Sequence, residues 1–201
     1  MRIQKIYIML NIIIFGAPGS GKGTQSERIT SKYKLLHVST GDMLRAEIAA
    51  KTTLGELAQS YISKGHLLPD EVIIDMLAEK LKHSKKNHNG IIFDGFPRTV
   101  AQAQALDKML QEHNQHVSLM LELEVEKDEL IKRLIKRGEQ SGRDDDNLEV
   151  IQNRLQVYHH QTEPVMDFYK NAGKYNHIQG NGTVEEIFEL IANVLDKHTD
   201  K

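Results

Sequence analysis

The sequence predicts an α/β fold in which a parallel sheet is covered by helices on both faces. Three observations carry that prediction. Short β-branched or apolar runs alternate with longer stretches whose apolar residues recur at helical spacing. The runs are nearly continuous rather than alternating, as strands buried on both faces are. The first run leads into GAPGSGKGTQ, residues 16–25, a composition no helix interior favours, because each glycine there costs roughly 1 kcal/mol against alanine.

In chain order the strand candidates are IYIMLNIIIF (6–15), KLLHV (34–38), GIIFD (90–94), VSLMLEL (117–123) and, less markedly, KYNHI (174–178). Gln102–His113 and Glu126–Arg137 carry helical periodicity. The last helix, TVEEIFELIANVLDK, opens with Thr183 as N-cap and Glu186 three residues on, a capping box. Two stretches break the alternation: 39–69, helical but inserted between the second and third strands, and 138–147, short and polar. No internal repeat or low-complexity linker is present.

A chain of 201 residues fits one domain with small inserted segments. With 26 Lys+Arg against 28 Asp+Glu, a generally basic nucleic-acid-binding surface is not expected, although a local basic cleft is compatible with the balance. The absence of cysteine excludes disulfides, thiol nucleophiles, iron–sulfur clusters and cysteine-bound zinc. The N-terminal MRIQKIYIMLNIIIFGA imitates a signal peptide, but cleavage near Ala17 would destroy the glycine segment, so a buried first strand is expected instead. Tyr7–Phe15 is too short to span a membrane. Met9 lies close enough to that strand to serve as a natural start, so residues 1–8 are expected to be a dispensable extension.

Gly16–Lys22 fits G-x-x-x-x-G-K between a strand and a helix. Bare backbone lets successive N–H groups turn toward phosphate oxygens while the following helix N-terminus adds a favourable field. Side chains at Gly19 or Gly21 would obstruct that approach, and Lys22 supplies a mobile charge to the outer phosphates. The motif usually places Ser or Thr after the lysine as a magnesium ligand; here Gly23 intervenes and Thr24 follows, so Thr24 is expected on phosphate. An ordinary glycine turn is the competing reading, and the upstream strand with the lysine outweighs it.

Asp94 closes a buried run, at the strand end where ligands collect in open parallel sheets. It can hold magnesium through water, or serve only as a turn or N-cap residue; beside the glycine loop the magnesium role is favoured. Pro97 stiffens the turn presenting Arg98, whose planar fork grips phosphate as lysine cannot. Arg133 and Arg137 share a helix face. Alone they would read as a solvated basic surface, but Gly138 and Gly142 would let the loop carrying Arg143 move as a lid, and Arg154 follows one helix later. Asp144–Asp146 lack the spacing of a calcium loop. They are either acidic partners for the lid arginines or a solvated run. The histidines show no zinc spacing, and His159 and His160 are expected at the surface.

These segments together resemble the adenylate kinase family of nucleoside monophosphate kinases. The resemblance covers about residues 11–195 and rests on GAPGSGKGTQ, STGDMLR (39–45), GHLLPDE (65–71), DGFPRT (94–99), RLIKRGEQSGRDDDN (133–147) and NRLQVYHHQTEPV (153–165), in family order. GKGT is this family's own variant of the loop. The resemblance implies a P-loop, NTPase-type five-stranded parallel sheet flanked by helices, with core segments 9–38, 69–135 and 147–201. It also implies a helical monophosphate-binding segment at 39–68 and a short lid at 136–146 without structural zinc. By matching position, Gly19, Ser20, Gly21, Lys22, Gly23 and Thr24 would cradle ATP phosphates, with Arg133 over adenine and Arg137 and Gly182 on the ATP side. Thr40, Arg45, the backbone of His66, Leu67 and Leu68, then Gly95, Phe96, Pro97, Arg98 and Gln102 would hold AMP, with Arg143 and Arg154 between the nucleotides.

The implied reaction is ATP + AMP to two ADP, dependent on Mg2+ and serving adenine nucleotide homeostasis. Its nucleophile is an already ionised phosphate oxygen, so charge neutralisation by Lys22, Arg98, Arg137, Arg143 and Arg154 suffices without a general base. Thr40 stands where uridylate–cytidylate kinases typically place alanine, and a Gln102 amide can both donate to and accept from a base. AMP is therefore expected over UMP or CMP. A non-catalytic nucleotide-binding protein is the alternative from another class, disfavoured because Lys22 and the arginines are all present. A cytoplasmic monomer is expected, its partners ATP and AMP, with no nucleic acid or membrane partner.

Overall fold

The isoleucine run forms the central strand, β1 (Ile12–Phe15), of the computed structural model, which describes residues 9–84, 87–141 and 143–199. It lies between β3 (Ile91–Asp94) and β4 (Leu119–Glu124), with β2 (Leu36–Ser39) and β5 (Tyr175–Gln179) at the edges. All pairings are parallel, in the order β2-β3-β1-β4-β5. The expected extension at residues 1–8 and the expected hinge Gly142 fall outside the described residues.

Because side chains alternate across a strand, the continuous apolar runs feed two cores. Ile13, Phe15 and Phe93 point into one, with Leu106 and Leu110 of α5 (Val100–Gln111) and Val165 and Tyr169 of α8 (Pro164–Asn171). Ile12, Ile14 and Ile92 point into the other, against Ile29 of α1 (Lys22–Tyr33) and Ile187, Ile191 and Leu195 of α9 (Val184–Thr199). Full burial of each such side chain is worth about 1.5–3 kcal/mol. The capping box of α9 forms as expected: Thr183 N donates to Glu186 Oε2 (2.8 Å), and Glu186 N donates to Thr183 Oγ1 (3.2 Å).

The inserted helical stretch is a hairpin of α2 (Thr40–Ala49) and α3 (Thr53–Ile62), followed by α4 (Asp70–Lys82). Ser39 and Thr52 cap the hairpin helices through their hydroxyls, accepting from Asp42 N (3.2 Å) and Gly55 N (3.0 Å). Gly55 also permits close helix approach, since a Cβ there would lie 2.1 Å from Glu47 O.

After β4, α6 (Lys127–Ser141) leads to a 3-10 turn (Asp144–Asp146) and α7 (Leu148–Val157). Leu130, Leu134, Ile151 and Leu155 make a third, smaller core there. A single π-helical turn (Tyr158–Thr162) joins α7 to α8. One local expectation changes: 138–141 is helical rather than looped, because α6 carries on to Ser141. Gly138 is therefore a contact point rather than a loop residue; a Cβ would lie 3.0 Å from Asp146 O. Among the described residues no helix is long and apolar enough to cross a membrane.

Candidate active site

β1 and β3 end side by side, with Ile14 in register with Asp94, so the glycine loop and the DGFPRT loop open on the same edge of the sheet. Between them and the arginines of α6 and α7 lies a cavity of about 500 Å³, within the range of small-molecule sites.

The glycine loop runs straight into α1, whose N-cap Gly21 (φ +95°) offers no side chain to the first N–H groups. Those donors have no intrahelical partner and suit an anion. Lys22 Nζ curls back over the loop, donating to Gly16 O (2.7 Å) and Ala17 O (2.9 Å), with Ser20 Oγ at 3.5 Å. Burial in the cleft lowers the Lys22 ammonium to about 8; Asp94 counteracts this, and Arg98, Arg154 and Arg137 reinforce it. Gly19 (φ +88°) is constrained by protein as well as by any phosphate, since a Cβ would sit 2.9 Å from Leu130 O. A Cβ on Gly21 would meet nothing within 4 Å, so only its backbone conformation demands glycine in this structure.

Asp94 is 9% exposed, with His37 Nε2 3.5 Å from its Oδ2. Around the next loop, the Gly95 carbonyl accepts from Thr40 Oγ1 (2.8 Å) and from Arg98 Nε (2.8 Å), fixing both side chains at the cavity wall. The Phe96–Pro97 bond is cis. Burial and the neighbouring Arg154 lower the Arg98 guanidinium to about 10.

Arg137 and Arg154 approach from α6 and α7 and meet on Asp146. Asp146 accepts from Arg137 Nε (2.7 Å) and Nη2 (2.8 Å) and from Arg154 Nη1 (2.9 Å). Asp145 pairs with Arg154 at 2.7 Å. Burial pushes the Asp146 carboxyl up, but the hydrogen bonds and charge of Arg137, then Arg154, hold it below the ordinary range. For these two aspartates, the acidic-partner alternative is the one the geometry selects. Arg143 also lines the cavity, and burial with Arg45 and Arg137 nearby lowers its guanidinium. The result is a crowd of cations only partly matched by protein anions, the electrostatic signature of an anion site.

Most residues singled out in the sequence line this cleft or the smaller cavity joined to it. Lys22, Gly23, Thr24, Arg133, Phe96 and Pro97 line the first. Thr40, His66, Leu68 and Gln102 line the second, and Arg45, Gly95, Arg98 and Arg154 face both. Leu67 also borders both, while Ser20 is buried beneath the loop. Arg133 is tied to Glu129 (2.8 Å) at the cavity rim. Gly182 stands outside the lining, at the foot of α9. His159 and His160 are exposed, as expected.

Sequence reasoning missed His37, Asp70 and Tyr158. Tyr158 lines the cavity and packs on Phe15 with ring centroids 5.8 Å apart. Asp70 accepts from Gln102 Nε2 (2.7 Å) and Thr99 Oγ1 (2.8 Å). The available signal for His37 was a polar residue two positions before the strand end, in the run that leads into STGD.

The model of the adenylate kinase family matches residues 14–174. The chain is 61% identical to the adenylate kinase of Phocaeicola vulgatus over 94% of its own length and 100% of the relative's. It shows the same 61% identity over 94% and 100% with that of Bacteroides thetaiotaomicron. With that of Porphyromonas gingivalis it shares 51% identity over 94% of this chain and 97% of the relative. The chain belongs to the adenylate kinase family, phosphotransferases acting on nucleoside monophosphates.

Proposed function

We propose that this enzyme transfers the γ-phosphoryl group of ATP to the phosphate of AMP, reversibly, to give two ADP. The observation that carries this is the convergence of Lys22, Arg98, Arg137, Arg143 and Arg154 on one cavity, open to the bare N-terminus of α1. Phosphoryl transfer demands alignment and charge neutralisation more than a covalent or acid–base catalyst. The glycine-loop N–H groups and Lys22 are assigned to the ATP phosphates, joined by Ser20, Thr24 and Arg137, with Arg133 and Gly182 toward its adenosine. The second cavity, with Thr40, Arg45, His66–Leu68 and Gln102, is assigned to AMP. Arg98, Arg143 and Arg154 stand between and are assigned to the group in transfer. Residues 39–68 then act as the monophosphate-binding segment and 136–146 as a short lid. Asp145 and Asp146 hold Arg137 and Arg154 in place meanwhile.

Asp94 suits magnesium. It is one carboxylate at a strand end, and among the described residues no cluster of three or more His, Cys, Asp or Glu could cage a metal. That fits an ion which keeps water and phosphate ligands. When bound with ATP, Mg2+ supplies charge to the β- and γ-phosphates. We read the protein as a cytoplasmic monomer. ADP formation from ATP with AMP, UMP, CMP and GMP, with and without Mg2+, tests the function; the expected result is a Mg2+-dependent preference for AMP. Faster turnover of UMP or CMP would reassign it to a pyrimidine monophosphate kinase.

A further inference from the structure

We propose that Asp70, on α4, is a positioning residue that fixes which way the Gln102 amide faces and thereby sets the choice between 6-amino and 6-oxo purines. The proposal rests on the assignment of the second cavity to the acceptor nucleotide and of Gln102 to its base.

Gln102 is 2% exposed and lines that cavity. Its Nε2 donates to Asp70 Oδ1 (2.7 Å), and its Oε1 accepts from Arg98 N (2.8 Å). A carboxylate only accepts and a backbone N–H only donates, so the orientation follows from chemistry whichever way the amide is drawn. The network closes on itself. Thr99 Oγ1 gives its only proton to Asp70 Oδ2 (2.8 Å) and so must accept from Gln102 N (3.1 Å). Asp70 is the first residue of α4, where the helix dipole favours a negative charge.

A primary amide has two N–H donors and two oxygen lone pairs. The two bonds just described use one of each, leaving one donor and one acceptor in a fixed order. Adenine offers a 6-amino donor beside the N1 acceptor. A 6-oxopurine offers the reverse, an oxygen acceptor beside an N1–H donor. An amide held one way matches the first and sets donor against donor, acceptor against acceptor, with the second. Sites that leave buried polar groups unpaired discriminate strongly.

The test is kcat/KM with ATP as donor and AMP or inosine 5′-monophosphate as acceptor, for the parent and three variants. Asp70→Ala removes the acceptor for Nε2, and the AMP-to-inosine ratio is expected to fall roughly tenfold or more. Asp70→Asn keeps an accepting oxygen and is expected to retain the ratio within about threefold of the parent. Gln102→Leu is expected to collapse it. A purely structural Asp70 would lower both rates in proportion; an unchanged ratio in Asp70→Ala beside a collapsed one in Gln102→Leu overturns the proposal and leaves the base-reading role of Gln102 standing. An unchanged ratio in Gln102→Leu overturns both. Should Asp70→Ala not fold, hydrogen exchange of the Gln102 side-chain amide in the parent decides: slow exchange supports the lock, and exchange at the rate of a free glutamine amide overturns it.

Discussion

Replacing Lys22 with methionine is expected to make the nucleotide-free protein more stable while removing its activity. Burial, reinforced by Arg98, Arg154 and Arg137 against the attraction of Asp94, takes the Lys22 ammonium from 10.5 to about 8. A tenfold change in proton affinity is about 1.4 kcal/mol, so the charge costs the empty site up to about 3 kcal/mol at neutral pH. Water reaching the open cleft reduces that to about 1–2 kcal/mol. Methionine has similar length and no charge. In the parent the penalty is fully present below about pH 8 and fades as the pH rises toward 10.5, where the unfolded chain also releases the proton. Urea unfolding of both proteins without nucleotide should therefore favour the variant by about 1–2 kcal/mol at neutral pH, with a smaller gap at alkaline pH. ADP formation should fall by about 10³-fold or more, since a charge on the transferring group is lost. A variant less stable than the parent, by a margin indifferent to pH, would refute this. The carbonyls of Gly16 and Ala17 would then be holding Lys22 as a net stabilising contact.

Asp146→Asn is expected to lower stability at neutral pH by about 2–4 kcal/mol, because it leaves Arg137 and Arg154 without their shared carboxylate. Since the Asp146 carboxyl is held below its ordinary range, its contribution in the parent should persist above about pH 4 and disappear only as the pH falls through that depressed value, which urea titrations across the acid range will register. Gly55→Ala forces a Cβ against the Glu47 carbonyl and should cost about 1–3 kcal/mol in thermal unfolding, though it touches neither cavity. Arg154→Ala should lower kcat for ADP formation by about 10²–10³-fold, with a smaller effect on ATP binding measured by calorimetry.

The strands and the phosphate loop were legible because their causes are local. Ile12–Phe15 and Ile91–Asp94 are apolar on both faces, and the bare backbone of GAPGSGK has few other uses. The arginines were legible in part: Pro97 drew attention to Arg98 and the glycines at 138 and 142 to Arg143, while the separate roles of Arg133, Arg137 and Arg154 came only through the resemblance to a family. What stayed hidden depends on contacts across long stretches of chain. Asp70 meets Gln102 from 32 residues away, and nothing in GHLLPDE announces that partner. Asp146 looks like part of a polar run until Gly138 lets it pack under α6, where its side chain is fully enclosed. The π turn after Val157 arises within a stretch whose pattern reads as ordinary helix.

The most direct test of the central claim follows the phosphoryl group itself. ATP labelled at the γ-phosphate is mixed with AMP, Mg2+ and the enzyme, and early products are separated. The label is expected at the β-phosphate of ADP, in step with AMP consumed and with little inorganic phosphate released. Label appearing chiefly as inorganic phosphate, or remaining in ATP while AMP is bound, would contradict phosphoryl transfer between the two nucleotides.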